Sequence, residues 1–228
     1  MLFRSEDYNR VWGDEALNGS RDSIELRRAR ELVNYIDSAD YLLDLHSMSA
    51  PCEALMVCGV RERGGLKPVA LSQAIGLPRW LMMDTGHPAG LRMIERGRFG
   101  DPASKAVAAL LEAGQHWEQQ SEVVARDASL RFLLHTDMVD KDWALSHCSL
   151  PLPAQQVIQV TEAVTVATDD FRFAGAFRGM EEFESKGTEI ARDGGKPVLT
   201  PYDGCVLIMP SRRLRKGLTA VRLGRYIA

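Results

Sequence analysis

The sequence has no C-x-x-C pair, no long hydrophobic run and no block of like charge. Its four cysteines, Cys52, Cys58, Cys148 and Cys205, are scattered, which excludes a zinc ribbon or a dithiol redox motif and suits a reducing compartment. No stretch approaches the ~20 apolar residues of a membrane helix. The segment Met1-Leu2-Phe3-Arg4-Ser5-Glu6-Asp7 lacks the charged-then-apolar order of a signal peptide, so the sequence reads as cytoplasmic with no membrane partner. A G-x-S-x-G nucleophile elbow is also missing, which leaves a serine or cysteine hydrolase without its usual signature.

Basic residues number 28 and acidic residues 31. With neither sign concentrated, the sequence does not read as a nucleic-acid binder. The one basic run, Arg212-Arg213-Leu214-Arg215-Lys216, lies between two apolar strand-like segments and reads as a solvated turn. Hydrophobic residues make up 45% of the 228, enough to bury one large core or two smaller ones.

From Ser23 the apolar positions Ile24, Ala29, Leu32, Val33 and Ile36 fall near helical spacing, with Asp22 placed to cap the helix and Glu25 three residues on. A short link leads into Tyr41-Leu42-Leu43-Asp44-Leu45-His46, a buried strand that delivers an imidazole to the rim of a sheet. A second strand is predicted over Glu53 to Cys58 and a helix over Val69 to Ile75. Gly76, Pro78, Gly86, Pro88, Gly90, Gly97, Gly100 and Pro102 then punctuate the chain so densely that no long regular element fits. That stretch reads as a loop-rich substrate wall. The apolar run Ala106 to Leu111 fits either helix or buried strand. As a strand it ends in Glu112, repeating the pattern at His46. Trp117 to His135 follows as a long helix. Beyond Pro151 and Pro153, alternating Val and Phe with glycine-bearing turns indicate short strands, so the chain divides into an α/β part over 1–150 and an all-β part over 151–228.

In an open α/β sheet, ligands gather where strands end and loops leave. An imidazole and a carboxylate at two such ends would converge on one crevice, as metal-assisted hydrolysis needs. Taken singly, His46 fits a structural histidine and Glu112 a simple cap. Asn9-Arg10 adds an arginine able to clamp a carboxylate and an amide able to orient it, although alone it reads as a surface loop. His87, Arg92 and His116 are more ordinarily structural.

Together, Asp7-Tyr8-Asn9-Arg10-Val11-Trp12, Asp44-Leu45-His46-Ser47 and Leu111-Glu112-Ala113-Gly114-Gln115-His116 resemble, in order and character, the succinylglutamate desuccinylase/aspartoacylase family. Lys186-Gly187-Thr188-Glu189-Ile190-Ala191 and the run Pro201 to Pro210 look like that family's appended β-domain. The resemblance implies a zinc-carboxypeptidase-like mixed sheet flanked by helices, with a C-terminal all-β domain. It implies zinc-dependent hydrolysis of an N-acyl amino acid or related small amide. In that reading His46 matches the family's second zinc-binding histidine and Glu112 its general acid/base. Asn9 and Arg10 match its clamp for a carboxylate-bearing small molecule.

The family's first zinc motif, H-x-x-E, lies upstream of the Asn-Arg pair, and here only eight residues precede Asn9. None of His46, His87, His116, His135 and His147 is followed three residues later by glutamate, and Arg4 does not match the spacing of the family's further substrate arginine. The expectation is therefore an N-terminally truncated deacylase that does not retain zinc tightly through His46 alone. Its alternative is a catalytically inactive, metal-free binding module of the same fold. The sequence is compatible with a homo-oligomer.

Overall fold

The computed structural model describes residues 6–87 and 89–227. The signal-peptide reading of the first residues, Arg4 and Pro88 fall outside them in whole or part.

A 3-10 turn at Tyr8–Arg10 opens the described chain, followed by α1 (Asp14–Asn18), α2 (Ile24–Ser38) and β1 (Tyr41–Met48). Next come β2 (Leu55–Val60), α3 (Arg61–Gly64), α4 (Lys67–Ile75), β3 (Trp80–Asp84), β4 (Val107–Gln115), α5 (Gln119–His135) and α6 (Lys141–Ser146). The remainder is strand and loop: β5 (Gln156–Thr165), β6 (Arg172–Phe173), β7 (Glu181–Phe183), β8 (Glu189–Asp193), β9 (Lys196–Leu199), β10 (Cys205–Ile208) and β11 (Thr219–Ile227).

One eight-stranded mixed sheet, in the order β1-β4-β2-β3-β5-β11-β10-β7, organises the molecule, and β6-β8-β9 form a smaller sheet. β1 runs parallel to β4, whereas β2 is antiparallel to β4. Residues alternate between the two faces of a strand, and the core divides accordingly. Leu55, Val57, Met82, Leu110, Ile158 and Ile208 pack on one face, Met56, Leu81, Met83, Leu111 and residues of α4 and α5 on the other. β1, expected to be buried, instead ends the sheet order, with Tyr41 and Leu45 exposed.

Three further expectations change. The cap of α2 is Ser23, not Asp22: its hydroxyl accepts from the Leu26 amide at 3.0 Å, so the helix begins one residue later. The glycine- and proline-rich stretch contains a regular element after all, the fully buried strand β3. A strand covered on both faces is uniformly apolar and shows no alternation, so Trp80-Leu81-Met82-Met83 lacked the period that identifies a strand. The run before Glu112 is a strand, and it continues three residues past the glutamate to Gln115. The compositional boundary near 150 falls between α6 and β5, and hydrogen bonding crosses it, because β5 pairs in parallel with β3.

The basic run 212–216 lies in the turn between β10 and β11 with its four charged residues exposed. All four cysteines are free. Among the described residues no helix is long and apolar enough to cross a membrane.

Candidate active site

β1 and β4 bring His46 and Glu112 directly opposite each other in parallel register. Leu42, packed on the first core face, fixes the parity of β1, so Asp44 and His46 lie on that face too. Glu112 pairs across β2 with Leu55, also a residue of that face. Two adjacent strands thus present an imidazole and two carboxylates together.

His46 Nε2 lies 3.0 Å from Asp44 Oδ2. Burial alone would depress the histidine pKa; the hydrogen bond and charge of Asp44, with Glu112 and Asp7 behind it, outweigh that and raise it. Glu112 is pushed up to about 7, chiefly by burial and further by the charge of Asp44, while His46, Arg10 and Arg222 pull the other way. Its Oε2 is enclosed and has no partner among the described residues. A carboxyl group poised near neutrality can both take and return a proton.

The 3-10 turn seats Asn9 and Arg10 beside this pair. Asp7 caps the turn by accepting from the Asn9 amide at 3.0 Å, and Trp12, fully buried against Tyr8 in an edge-on contact, anchors its far side. The Asn9 side chain is used inside the protein: its Nδ2 lies 3.3 Å from Asp44 Oδ2 and 3.4 Å from His46 Nε2, and its Oδ1 accepts from the Met93 amide at 2.9 Å. Asn9 therefore ties the turn to β1 and to the stretch after β3. Arg10 donates from Nη1 to the Asn9 carbonyl at 2.5 Å and leaves a buried Nε without a partner. Burial lowers its pKa, as do Arg92 and Arg222 nearby.

Gly90 permits this approach. Its φ is +143°, and a Cβ there would stand 2.1 Å from the Arg10 carbonyl oxygen. Gly90→Ala should lower stability by about 1–3 kcal/mol through backbone strain and overpacking, measured by thermal denaturation; an unchanged melting temperature would contradict this packing.

The sequence singled out three further residues. Arg92 is a buried ion-pair hub: it grips Asp84 at 2.6 and 2.8 Å and Glu95 at 2.9 Å through two donors. His87 is driven down to about 4 by burial and by Arg10, Arg222 and Arg92, and so is neutral at neutral pH. His116 is exposed and bonds Ser47 at 2.8 Å. Sequence reasoning passed over Asp44, although it lies two residues before His46 and hence on the same strand face. It also passed over Arg222, an arginine inside an apolar strand at an inward-facing position.

A catalytic zinc takes three protein ligands and leaves one position open. His46 and Asp44 lie together, but no group of three His, Cys, Asp or Glu residues able to hold a metal occurs among the described residues. The described residues do not complete such a centre.

No protein-family model and no curated protein matches the sequence. Solved structures do. The succinylglutamate desuccinylase from Vibrio cholerae superposes with a TM-score of 0.68 at 20% identity, over 97% of this chain and 65% of that one. The product-bound ectoine utilization protein from Ruegeria pomeroyi gives 0.66 at 14% identity, over 96% and 67% respectively. Murine aminoacylase 3 gives 0.59 at 18% identity, over 97% and 77%. The chain thus spans about two thirds of the length of the bacterial structures. Its architecture is a mixed α/β sheet flanked by helices, with further strands in a smaller sheet. That fold is the one found in structures of the succinylglutamate desuccinylase/aspartoacylase family.

Proposed function

We propose that this site hydrolyses the amide of an N-acyl amino acid or a related small N-acyl compound. The observation that carries the reading is Glu112 facing His46 across two parallel strands, its Oε2 enclosed and without a partner among the described residues, with Arg10 beside it. The names of the structural relatives, succinylglutamate desuccinylase and aminoacylase, support the reaction class.

In the proposed reaction a water oxygen bonds to the acyl carbonyl carbon. Glu112 takes the proton that water gives up and returns it to the nitrogen as the C–N bond breaks, leaving a carboxylic acid and an amine. Asn9 and Asp44 hold the His46 ring in place. Arg10 engages a carboxylate away from the scissile bond, and that remote contact fixes the amide for attack. In the zinc-dependent form of this chemistry His46 would be one ligand. The described donors fall short of a full set.

A second reading is a binding module of the same fold that does not cleave its ligand. Amine release from a panel of N-acyl amino acids, with and without added zinc, separates the two: cleavage supports the deacylase, and saturable binding without amine release supports the module. Under either reading Arg10→Met should weaken ligand binding by about tenfold to a hundredfold, the worth of hydrogen bonds to a charged group, with Arg10→Lys intermediate. Calorimetric titration checks this, and unchanged affinity in Arg10→Met would remove Arg10 from the clamp.

A further inference from the structure

The eight-stranded sheet ends in β1 on one side and β7 on the other, and the two edges differ. β7 is three residues long and carries Glu181 and Glu182, both exposed, and a short, charged edge resists pairing with another chain. β1 runs for eight residues, Tyr41–Met48, with neither lysine nor proline, and Tyr41 and Leu45 stand exposed on it. Its outer backbone is open. Val107 donates to the Asp40 carbonyl at 2.9 Å and His116 to the Met48 carbonyl at 2.8 Å, so the even-numbered residues bond toward β4. Alternate residues of a strand bond to opposite sides, which turns the amides and carbonyls of Tyr41, Leu43 and Leu45 outward.

Such an edge fits a second copy of itself in few registers. A two-fold axis perpendicular to the sheet keeps the faces of both copies aligned and sets one residue of β1 opposite the same residue of the other copy. Centred on Asp44, the pairing opposes two carboxylates, and like charges directly opposite repel. Centred on Leu43, it sets apolar Leu42 against Asp44. Centred on Leu45, it sets Leu45 against Leu45, Leu42 against Met48, and Asp44 of one copy against His46 of the other. Because the even-numbered residues bond toward β4, that last pair is of the non-hydrogen-bonded kind, whose Cα atoms approach to about 4.5 Å and whose side chains lie closest. Carboxylate and imidazole already attract within one copy, at 3.0 Å. The helices beside the edge add apolar surface: α5 reaches β1 through the edge-on contact of Tyr41 with His135, and Tyr35 of α2 and Met138 just beyond α5 are largely exposed.

We propose that β1 is a dimerisation edge, on which a second copy of this chain lays its own β1 antiparallel, centred on Leu45, so that the two sheets join into one across a two-fold axis. The contact uses the same surface on both copies and closes on itself, so the product is a dimer and not a filament. It covers the one long edge of the large sheet among the described residues. The pairing holds whether or not the site cleaves amides, and it brings the two sites side by side, with His46 of each copy next to Asp44 of the other.

Sedimentation velocity of the purified chain between about 1 and 100 μM should show a species of twice the chain mass. Leu45→Lys sets two like charges opposite each other and should weaken association by at least about tenfold. Leu45→Glu should do the same. An equimolar mixture of these two variants should recover the dimer, because residue 45 of one copy faces residue 45 of the other and the charges then attract. A chain that stays monomeric throughout, its edge left to some other strand, overturns the proposal, as does a dimer that survives undiminished in Leu45→Lys. A mixture no more associated than its components, or open-ended association in place of a dimer, overturns it too. Leu45 is half exposed, and thermal denaturation checks that the variants fold. If they do not, hydrogen exchange of the unaltered chain decides: the Leu43 and Leu45 amides should exchange more slowly as concentration rises, and exchange independent of concentration overturns the proposal. None of these measurements reads amine release, so a failure here is distinct from a failure of the deacylase reading.

Discussion

Replacing Arg92 with methionine should lower stability by about 3–5 kcal/mol at neutral pH, the cost of stranding buried charges once their partner is removed. The side chain is nearly enclosed, and it neutralises two carboxylates that are more enclosed still, Asp84 and Glu95. Asp84 reports the coupling. Burial would raise its pKa, but the hydrogen bonds and charge of Arg92, helped by the Gly86 amide, hold it below the usual carboxylate range. The sign follows. A depressed folded-state pKa contributes stability that is present above the unfolded value of about 3.9 and is lost as pH falls through the folded value. In Arg92→Met burial is left largely unopposed, so Asp84 rises above its unfolded value and stability improves as pH falls from neutrality toward about 4. The gap between the two proteins should therefore narrow in mild acid. Urea denaturation at pH 7 and pH 4.5 measures it; a loss below about 1 kcal/mol at pH 7, or a gap that widens at pH 4.5, would contradict the ion-pair account. The same variant should slacken the site, because the turn after Arg92 holds Asn9 through the Met93 amide.

Much of the fold was legible because β1 carries an apolar run and α2 a helical period. The His46–Glu112 pairing was anticipated from two runs that each close on a functional group. β3 was not legible: a strand buried on both faces carries no alternation, and the glycines and prolines around it gave the signal of a loop. Asn9 shows a different limit. Sequence reasoning could give it an orienting amide, but only the fold reveals that the amide binds Asp44, His46 and the Met93 backbone at once. Arg222 lay beyond reach for a topological reason. Its approach depends on the order β3-β5-β11-β10, which joins segments far apart in the chain and leaves no local trace.

Glu112→Gln should reduce turnover of a cleaved N-acyl amino acid by about a hundredfold to ten-thousandfold, the range for removing a positioned general acid/base. Glutamine keeps the size of the side chain and its place opposite His46, so the β1–β4 pairing and ligand affinity should change little. It cannot accept the proton of attacking water or return one to the departing amine. Stability should hold or rise slightly, because the neutral amide escapes the desolvation cost that burial places on the Glu112 carboxylate.

The most direct measurement is the rate of amine release from N-acyl amino acids by the purified chain and by Glu112→Gln, side by side and with zinc supplied. The first should cleave, and the second should be slower by at least about a hundredfold, with ligand binding retained. Equal rates in the two proteins, or ligand bound and never cleaved by either, would contradict the deacylase reading.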